Sequence, residues 1–415
     1  MENAILKHNP HWKTKYKNLY SREILSHLLD RVELRQIQVL TGIRRSGKTT
    51  IFKLIINKLI ESTEPKSILY INLDDPFFSE LYSDSKNLYK LLELSEKLTG
   101  VKVEYLFLDE VQNVTAWEKF VKSIYDNELI KKIFITGSNA SLLESEYATL
   151  LSGRYLKTQV NPPSFSEILS FKGISNRLEL FEQKSKVLNL LDEMLEFGAF
   201  FEVVAEKKYK RDIILSYYDT IVYKDCIANN NIRDTKSFKE LLHFYISNVS
   251  NLYSFNSISK ATGINDNTVK EYVRVCNDSF VCDEITQFSY SLKQQIKHKR
   301  KAYCIDNGFL AQTSFRFSRD FGKLFENLVF SELYKKGYKI YFLNDNKSEC
   351  DFIVKNGDKT TALQVCYELN AQNRDREFGA LEKLKIECDE RVVITYNQNE
   401  EYEGILAVAF WDYFS

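Results

Sequence analysis

The amino-acid sequence predicts an α/β fold: a three-layer domain around a parallel sheet, a largely helical middle, and a second α/β unit toward the C-terminal end. Three observations carry this. The first third alternates short apolar runs with segments of helical period, the stretch Gly42 to Thr49 spells G-x-x-x-x-G-K-T between one such run and one such segment, and Asn161-Pro162-Pro163-Ser164-Phe165 holds two of only five prolines in 415 residues. Alternation of this kind marks a parallel sheet covered on both faces. Paired prolines break regular structure and so mark a boundary.

The elements follow in order. After a helix around Ser21 to Arg31, strands are expected at Ile37–Thr41, Ser67–Leu73, Glu104–Leu108, Lys132–Thr136 and Tyr155–Val160, each rich in Ile, Val, Leu, Tyr or Phe. The first domain then spans residues 1–162. A helical lid or linker is expected over 163–236, with helices near Glu167–Leu169, Lys184–Gly198 and Lys210–Asn229. In 237–300, a turn at Gly263 separates two short helices and a strand-like run, Phe280–Ile285, follows, which has the form of a helix-turn-helix within a winged-helix-like domain. Residues 301–415 begin with a helix over Gly322–Gly337. Strands at Lys339–Leu343, Cys350–Val354 and Thr361–Tyr367, a helix at Arg376–Leu384 and a strand at Arg391–Thr395 complete the second α/β unit.

The glycine-rich stretch is a P-loop in its required context, with the run Ile37-Gln38-Val39-Leu40 before it and a helix-like segment after it. Its glycines let successive backbone N–H groups point into one concavity, and the following helix N-terminus aims partial positive charge at the same place. Gly42, Arg44, Arg45, Ser46, Gly47, Lys48, Thr49 and Thr50 are the expected phosphate-binding residues, with Lys48 reaching the β- and γ-phosphates and the Thr49 hydroxyl on Mg²⁺. Arg44 and Arg45 contact phosphate or are solvated, because the motif leaves their positions free.

Some 60 residues on, Tyr105-Leu106-Phe107-Leu108-Asp109-Glu110 is an apolar strand ending in two carboxylates. Asp109 is expected to hold the metal shell and Glu110 to orient or deprotonate the attacking water. Ile133 to Asn139 repeats the pattern on the next strand, so Ser138 or Asn139 is a candidate contact to the γ-phosphate or the water, against the plainer reading of a Gly-Ser-Asn turn. Arg154, at the start of the fifth strand, is the candidate that stabilises charge on the transferring phosphoryl group, in cis or across a subunit boundary, against a surface arginine.

Composition bounds the rest. Lysine plus arginine equals aspartate plus glutamate at 57 each, which argues against a wholesale polyanion binder. Seven scattered cysteines without a C-x-x-C pair fit reduced thiols in the cytoplasm better than a disulfide framework or a zinc site. Met1 to Lys17 lacks an apolar core and every long apolar stretch is interrupted by charge, so neither secretion nor a membrane span is expected.

Gly42–Thr49, Leu108-Asp109-Glu110-Val111-Gln112, Thr136-Gly137-Ser138-Asn139, Leu151-Ser152-Gly153-Arg154 and Pro163-Ser164-Phe165-Ser166-Glu167 together resemble the AAA-type ATPases of bacteria and archaea that carry a C-terminal DUF4143 region. Tyr223-Lys224-Asp225, Thr268-Val269-x-x-Tyr272, Tyr303 to Gly308 and Gly322 to Asn327 fall in the expected order, so the resemblance covers nearly the whole chain. It implies an AAA+-like ATPase core using ATP and Mg²⁺, a winged-helix middle and a C-terminal domain similar to restriction-endonuclease-like PD-(D/E)xK folds. An active nuclease of that kind needs metal-binding acids and a lysine. Glu326 and Asp351 are present, but the E-x-K segment reads Gln364-x-Cys366, so the domain is expected to be degenerate.

The expected function is Mg-dependent ATP hydrolysis that drives or gates a conformational change. The alternative is a nucleotide-regulated DNA-binding protein, with or without nuclease activity. Asn265, Asn267, Lys270 and Arg274 would face a groove, and Lys293, Lys297, His298, Lys299, Arg300 and Lys301 would follow the phosphates, opposed by Asp266 and Glu271. A homo-oligomer or a protein partner is left open.

Overall fold

Five short apolar strands build the first sheet: β1 (Ile37–Thr41), β2 (Ile68–Asn72), β3 (Tyr105–Asp109), β4 (Lys132–Gly137) and β5 (Tyr155–Gln159). In the computed structural model, which describes residues 1–140, 150–291, 293, 295, 299–314, 321–344 and 349–415, they are all parallel in the order β2-β3-β4-β1-β5. The chain divides into two units, Met1–Asn161 and Pro162–Ser415. Successive side chains of a strand point to opposite faces. Ile37, Val39, Leu106, Leu108, Ile133 and Ile135 accordingly pack on one side with Val121 and Ile124. Leu40, Tyr105, Phe107 and Phe134 pack on the other with Ile51, Phe52 and Ile55 of the helix Lys48–Leu59. The Phe107 and Phe134 rings stack at 4.3 Å, and Phe52 meets Phe107 edge-on at 5.2 Å.

Strand β2 lies at one end of this sheet, and an edge strand needs protection from foreign pairing. The N-terminal segment provides it. The Asn9 side chain accepts from the Tyr70 backbone N–H at 2.7 Å and donates to the Tyr70 carbonyl at 3.0 Å, as a neighbouring strand would. Trp12 Nε1 donates to the Ile68 carbonyl at 2.8 Å, and His11 Nε2 lies 3.1 Å from it. Burial lowers the His11 imidazole to about 4, with the Ile68 bond opposing.

In the second unit, Ser164 caps the helix Phe165–Phe171 through a reciprocal box with Glu167, which starts regular structure directly after the prolines. Helices Lys184–Phe197 and Lys210–Thr220 follow, and the latter runs on as a π-helix over Ile221–Ala228. Next come the helix Thr235–Ser247, the two-residue β6 (Leu252–Tyr253), and helices Phe255–Thr262 and Asp266–Asp278 joined through Gly263, whose φ of 73° ends the first of them. Strands β7 (Cys282–Gln287) and β8 (Arg300–Cys304) form an antiparallel pair.

After the helix Phe321–Lys335 come β9 (Lys339–Asn344), β10 (Glu349–Asn356), β11 (Lys359–Cys366), the helix Arg374–Glu382, β12 (Glu390–Thr395), β13 (Glu400–Tyr402) and β14 (Ile405–Ala409). All nine strands join one sheet, in the order β13-β14-β12-β11-β10-β9-β7-β8-β6. The seam is the parallel pairing of Thr286 and Gln287 with Tyr341 and Phe342. The expected division after residue 300 therefore falls inside β8, and the helix-turn-helix region shares a sheet with the C-terminal strands. Among the described residues, no helix is long and apolar enough to cross a membrane.

Candidate functional site

Parallel strands deliver all their C-terminal ends to one edge, and the P-loop, Asp109 and Ser138 meet there. The loop turns directly out of β1 with positive φ at Gly42 (139°), Arg45 (71°) and Gly47 (99°). At Gly42 the reason is contact as well as torsion, since a Cβ there would lie 2.1 Å from the Val160 carbonyl oxygen. Lys48 opens the following helix, and its buried ammonium donates to the Gly42 and Ile43 carbonyls at 2.8 and 3.1 Å. Ser46 is buried, Arg44 and Thr50 are partly exposed and Arg45 is exposed.

Asp109 is fully buried and organises the carboxyl edge. The Thr49 hydroxyl donates to its Oδ2 at 2.5 Å across 60 positions of sequence, the Tyr70 hydroxyl donates to the same oxygen at 3.1 Å, and the Thr136 hydroxyl donates to Oδ1. Glu110 follows in a left-handed conformation with φ 57° and ψ 51°, and its N–H donates to Thr136 Oγ1 at 2.9 Å. Burial pushes the Glu110 carboxyl up, Lys48, Arg44 and the Gln112 amide pull it back, and Asp109 adds to the rise. Ser138 and Asn139 lie buried just beyond β4. A hydroxyl and a carboxylate converging from two elements form a hard-oxygen donor pair that suits Mg²⁺. Thr136, Tyr70 and Gln112 were not singled out by sequence, although Thr136 and Gln112 lie inside the stretches that carry the resemblance.

Arg154 is not brought together with these groups. Its carbonyl accepts from the Ile37 N–H at 2.8 Å and it precedes β5, so it sits at the amino edge of the sheet. A five-residue strand separates the two edges by roughly 16 Å. Its guanidinium instead bonds Asp126 at 2.8 and 3.4 Å. Of the readings left open for Arg154, in cis, across a subunit boundary or a surface arginine, the first is not favoured, because strand direction carries it away from the P-loop of its own chain.

Arg22, a residue without a sequence signal, is buried behind the loop and donates to the Ser46 carbonyl at 2.8 Å and to the Asn161 carbonyl at 2.9 Å. It ties the phosphate loop to the last residue before the paired prolines.

In the second unit, Glu326 and Asp351 do come together, with a partner that sequence reading placed elsewhere. Lys301 Nζ lies 3.4 Å from Glu326 Oε1 and 3.6 Å from Asp351 Oδ1, and Tyr303 donates to Glu326 Oε1 at 2.7 Å. Asp351 Oδ2 accepts from the Val365 N–H at 3.0 Å, while Gln364 donates to Glu377 at 3.0 Å. Burial, chiefly, and then the Glu326 charge lift the Asp351 carboxyl to about 7, against Lys301. Here a lysine ammonium supplies the positive charge between the two acids.

The basic run is correspondingly shortened. Lys301 is buried, Arg300 pairs with Glu284 at 3.0 Å, and Lys297 and His298 lie outside the described residues. On the helix Asp266–Asp278, Lys270 pairs with Asp266 at 2.5 Å and Arg274 lies 3.9 Å from Asp278, while Asn265 and Asn267 are exposed.

Comparison with known proteins agrees with the geometry. A family model described as an AAA domain matches residues 34–169, and two described as domains of unknown function, DUF8612 and DUF4143, match 188–320 and 321–413. An uncharacterised protein of Methanocaldococcus jannaschii is 34% identical over 387 residues, covering 89% of this chain and 84% of its own. One from Haemophilus influenzae is 27% identical over 412 residues, covering 96% and 99%. Among solved structures, Orc1 of Aeropyrum pernix in complex with DNA is 12% identical, covers 73% of this chain and 94% of its own, and has a TM-score of 0.31. DnaA of Aquifex aeolicus bound to AMPPCP is 15% identical, covers 65% and 92%, and scores 0.28. The AAA match falls on the parallel sheet and its P-loop, an ATPase-type nucleotide-binding fold. By sequence and by domain order, the chain belongs to the family of AAA-domain proteins that carry a C-terminal DUF4143 region.

Proposed function

We propose that the chain binds Mg-ATP at the Gly42–Thr49 loop and hydrolyses it. The observation that carries this reading is the meeting of Thr49 and Asp109 at 2.5 Å with Glu110 next in sequence. Thr49 and Asp109 would hold Mg²⁺, which when bound offsets phosphate charge. The loop N–H groups and Lys48 bind and orient the phosphates. Glu110 holds the lytic water in line and accepts its proton as the water oxygen bonds the γ-phosphorus and the bond to the ADP oxygen breaks. Asn139 and Ser138 are assigned to the γ-phosphate or the water. Arg154 could contribute only to a second copy of the chain.

The Arg22 bridge between Ser46 and Asn161 supports use of the cycle to drive or gate a conformational change, because it joins the phosphate loop to the proline boundary. Phosphate release by the purified protein tests hydrolysis. Glu110→Gln is expected to lower Mg²⁺-dependent turnover by about 10²-fold or more while keeping nucleotide binding. If wild type shows no turnover above a Lys48→Ala control, hydrolysis is wrong.

The alternative, nucleotide-regulated DNA binding through the helix Asp266–Asp278, retains the exposed Asn265, Asn267, Lys270 and Arg274. A mobility shift with and without ATP tests it, and absence of any salt-sensitive shift removes it.

A further inference from the structure

Gln112 lies on the short turn Val111–Asn113 directly after Glu110. Its Nε2 donates to Glu110 Oε2 at 2.5 Å and is 3.5 Å from Ser138 Oγ. The amide is held in this sense by chemistry, since rotating it by half a turn would set its oxygen against a carboxylate oxygen. The arrangement leaves Gln112 Oε1 buried without a hydrogen-bond partner among the described residues. A buried acceptor left unmatched is costly, so the contact with Glu110 is kept at the expense of the amide's other end.

Glu110 is gripped at two points. Its backbone is fixed in the left-handed region by the bond to Thr136, and its carboxylate is fixed by Gln112. With one carboxylate oxygen engaged, the other is the acceptor available to the reaction. We infer that Gln112 is a positioning residue for hydrolysis: it aims the Glu110 carboxylate and ties it to Ser138 at the end of the neighbouring strand. This rests on the reading of the site as one that hydrolyses ATP. A misaimed base costs rate and leaves ground-state binding alone. Gln112 thus acts on kcat through Glu110 and has no part in holding the nucleotide.

The test uses the full chain and steady-state phosphate release. Gln112→Leu is expected to lower kcat at least tenfold with KM for ATP within twofold of wild type. In a Glu110→Gln background, the same substitution is expected to change kcat by less than twofold, because its only route of action is already gone. A full additional tenfold loss in that background, or a Gln112→Leu enzyme with wild-type kcat, overturns the inference. Should Gln112→Leu fail to fold, Gln112→Asn keeps the amide but withdraws it by one methylene, and the same two comparisons decide. Wild-type turnover no higher than that of Lys48→Ala removes the reaction and this role together, whereas normal wild-type turnover with an inert Gln112 removes the role alone.

Discussion

Gly42→Ala is the sharpest probe of how the phosphate loop is built. The residue has φ 139°, and an added Cβ would meet the Val160 carbonyl oxygen at 2.1 Å and its carbon at 3.0 Å. Ordinary contact begins near 3.4 Å, so more than an ångström of overlap must be relieved. No rotamer can relieve it, because the obstacle is backbone, pinned where the Val160 N–H donates to the Thr41 carbonyl at 2.7 Å. Strain at positive φ is about 1–2 kcal/mol, and overpacking adds about 1–3 kcal/mol. Together these amount to a loss of about 2–5 kcal/mol, a large part of the ~5–15 kcal/mol that holds a domain together. Urea unfolding and titration with a fluorescent ATP analogue measure the two ways out: either stability falls by that amount, or the loop shifts and nucleotide affinity falls more than tenfold. Gly100→Ala is the control for the collision, since its φ of 69° is also positive but nothing lies within 4 Å of the added carbon. A Gly42→Ala protein as stable as Gly100→Ala, with wild-type nucleotide affinity, would refute the reasoning.

Two further outcomes concern the charged cluster of the second unit. Lys301→Met leaves the Glu326 and Asp351 side chains, 17% and 13% exposed, without their cation; removal of one member of such a group is expected to cost about 3 kcal/mol in urea unfolding, and a change below ~0.5 kcal/mol, the range of ordinary surface substitutions, would contradict the ion-pair account. Asp351 rises from its ordinary 3.8 to about 7 in the fold. The native chain therefore holds a proton there that the unfolded chain releases, and stability falls as pH rises from 3.8 toward 7. Asp351→Asn is expected to flatten that slope between pH about 4 and about 7, and denaturant midpoints with the same pH dependence as wild type would show that another group is responsible.

The first sheet was legible almost residue by residue, because β1 to β4 are apolar runs bounded by polar turns whose burial on both faces leaves no competing period, while β5 is the half-exposed exception. Strands expected at Lys132–Thr136 and Tyr155–Val160 are observed at Lys132–Gly137 and Tyr155–Gln159. The paired prolines coincide with the division into two units at Asn161 and Pro162. Less legible was anything whose meaning lies in a distant partner. Lys301 reads as one more charge in a basic run, and only the fold shows its stem buried in β8 and its ammonium between residues 25 and 50 positions away. Tyr70 reads as core until its hydroxyl is found on Asp109. The position of Arg154 could have been deduced: the start of a parallel strand lies at the edge opposite a P-loop, and the residue type alone drew attention to it. The seam between β7 and β9 rests on two paired residues on each strand, too short a signal for any pattern.

Strand β8 has a consequence for how the second unit tolerates change. Lys301 and Tyr303 stand two residues apart, so they share one face, and both reach Glu326. Inserting or deleting a single residue upstream within β8 would exchange that face with its neighbours, turning the ammonium and the phenol away from the acids together. A fragment beginning at residue 301 would start after the strand's first residue has been lost. A protein assembled by recombination after residue 320, between the two matched regions, would carry Glu326 and Asp351 without Lys301 and so inherit the acids without their counter-charge.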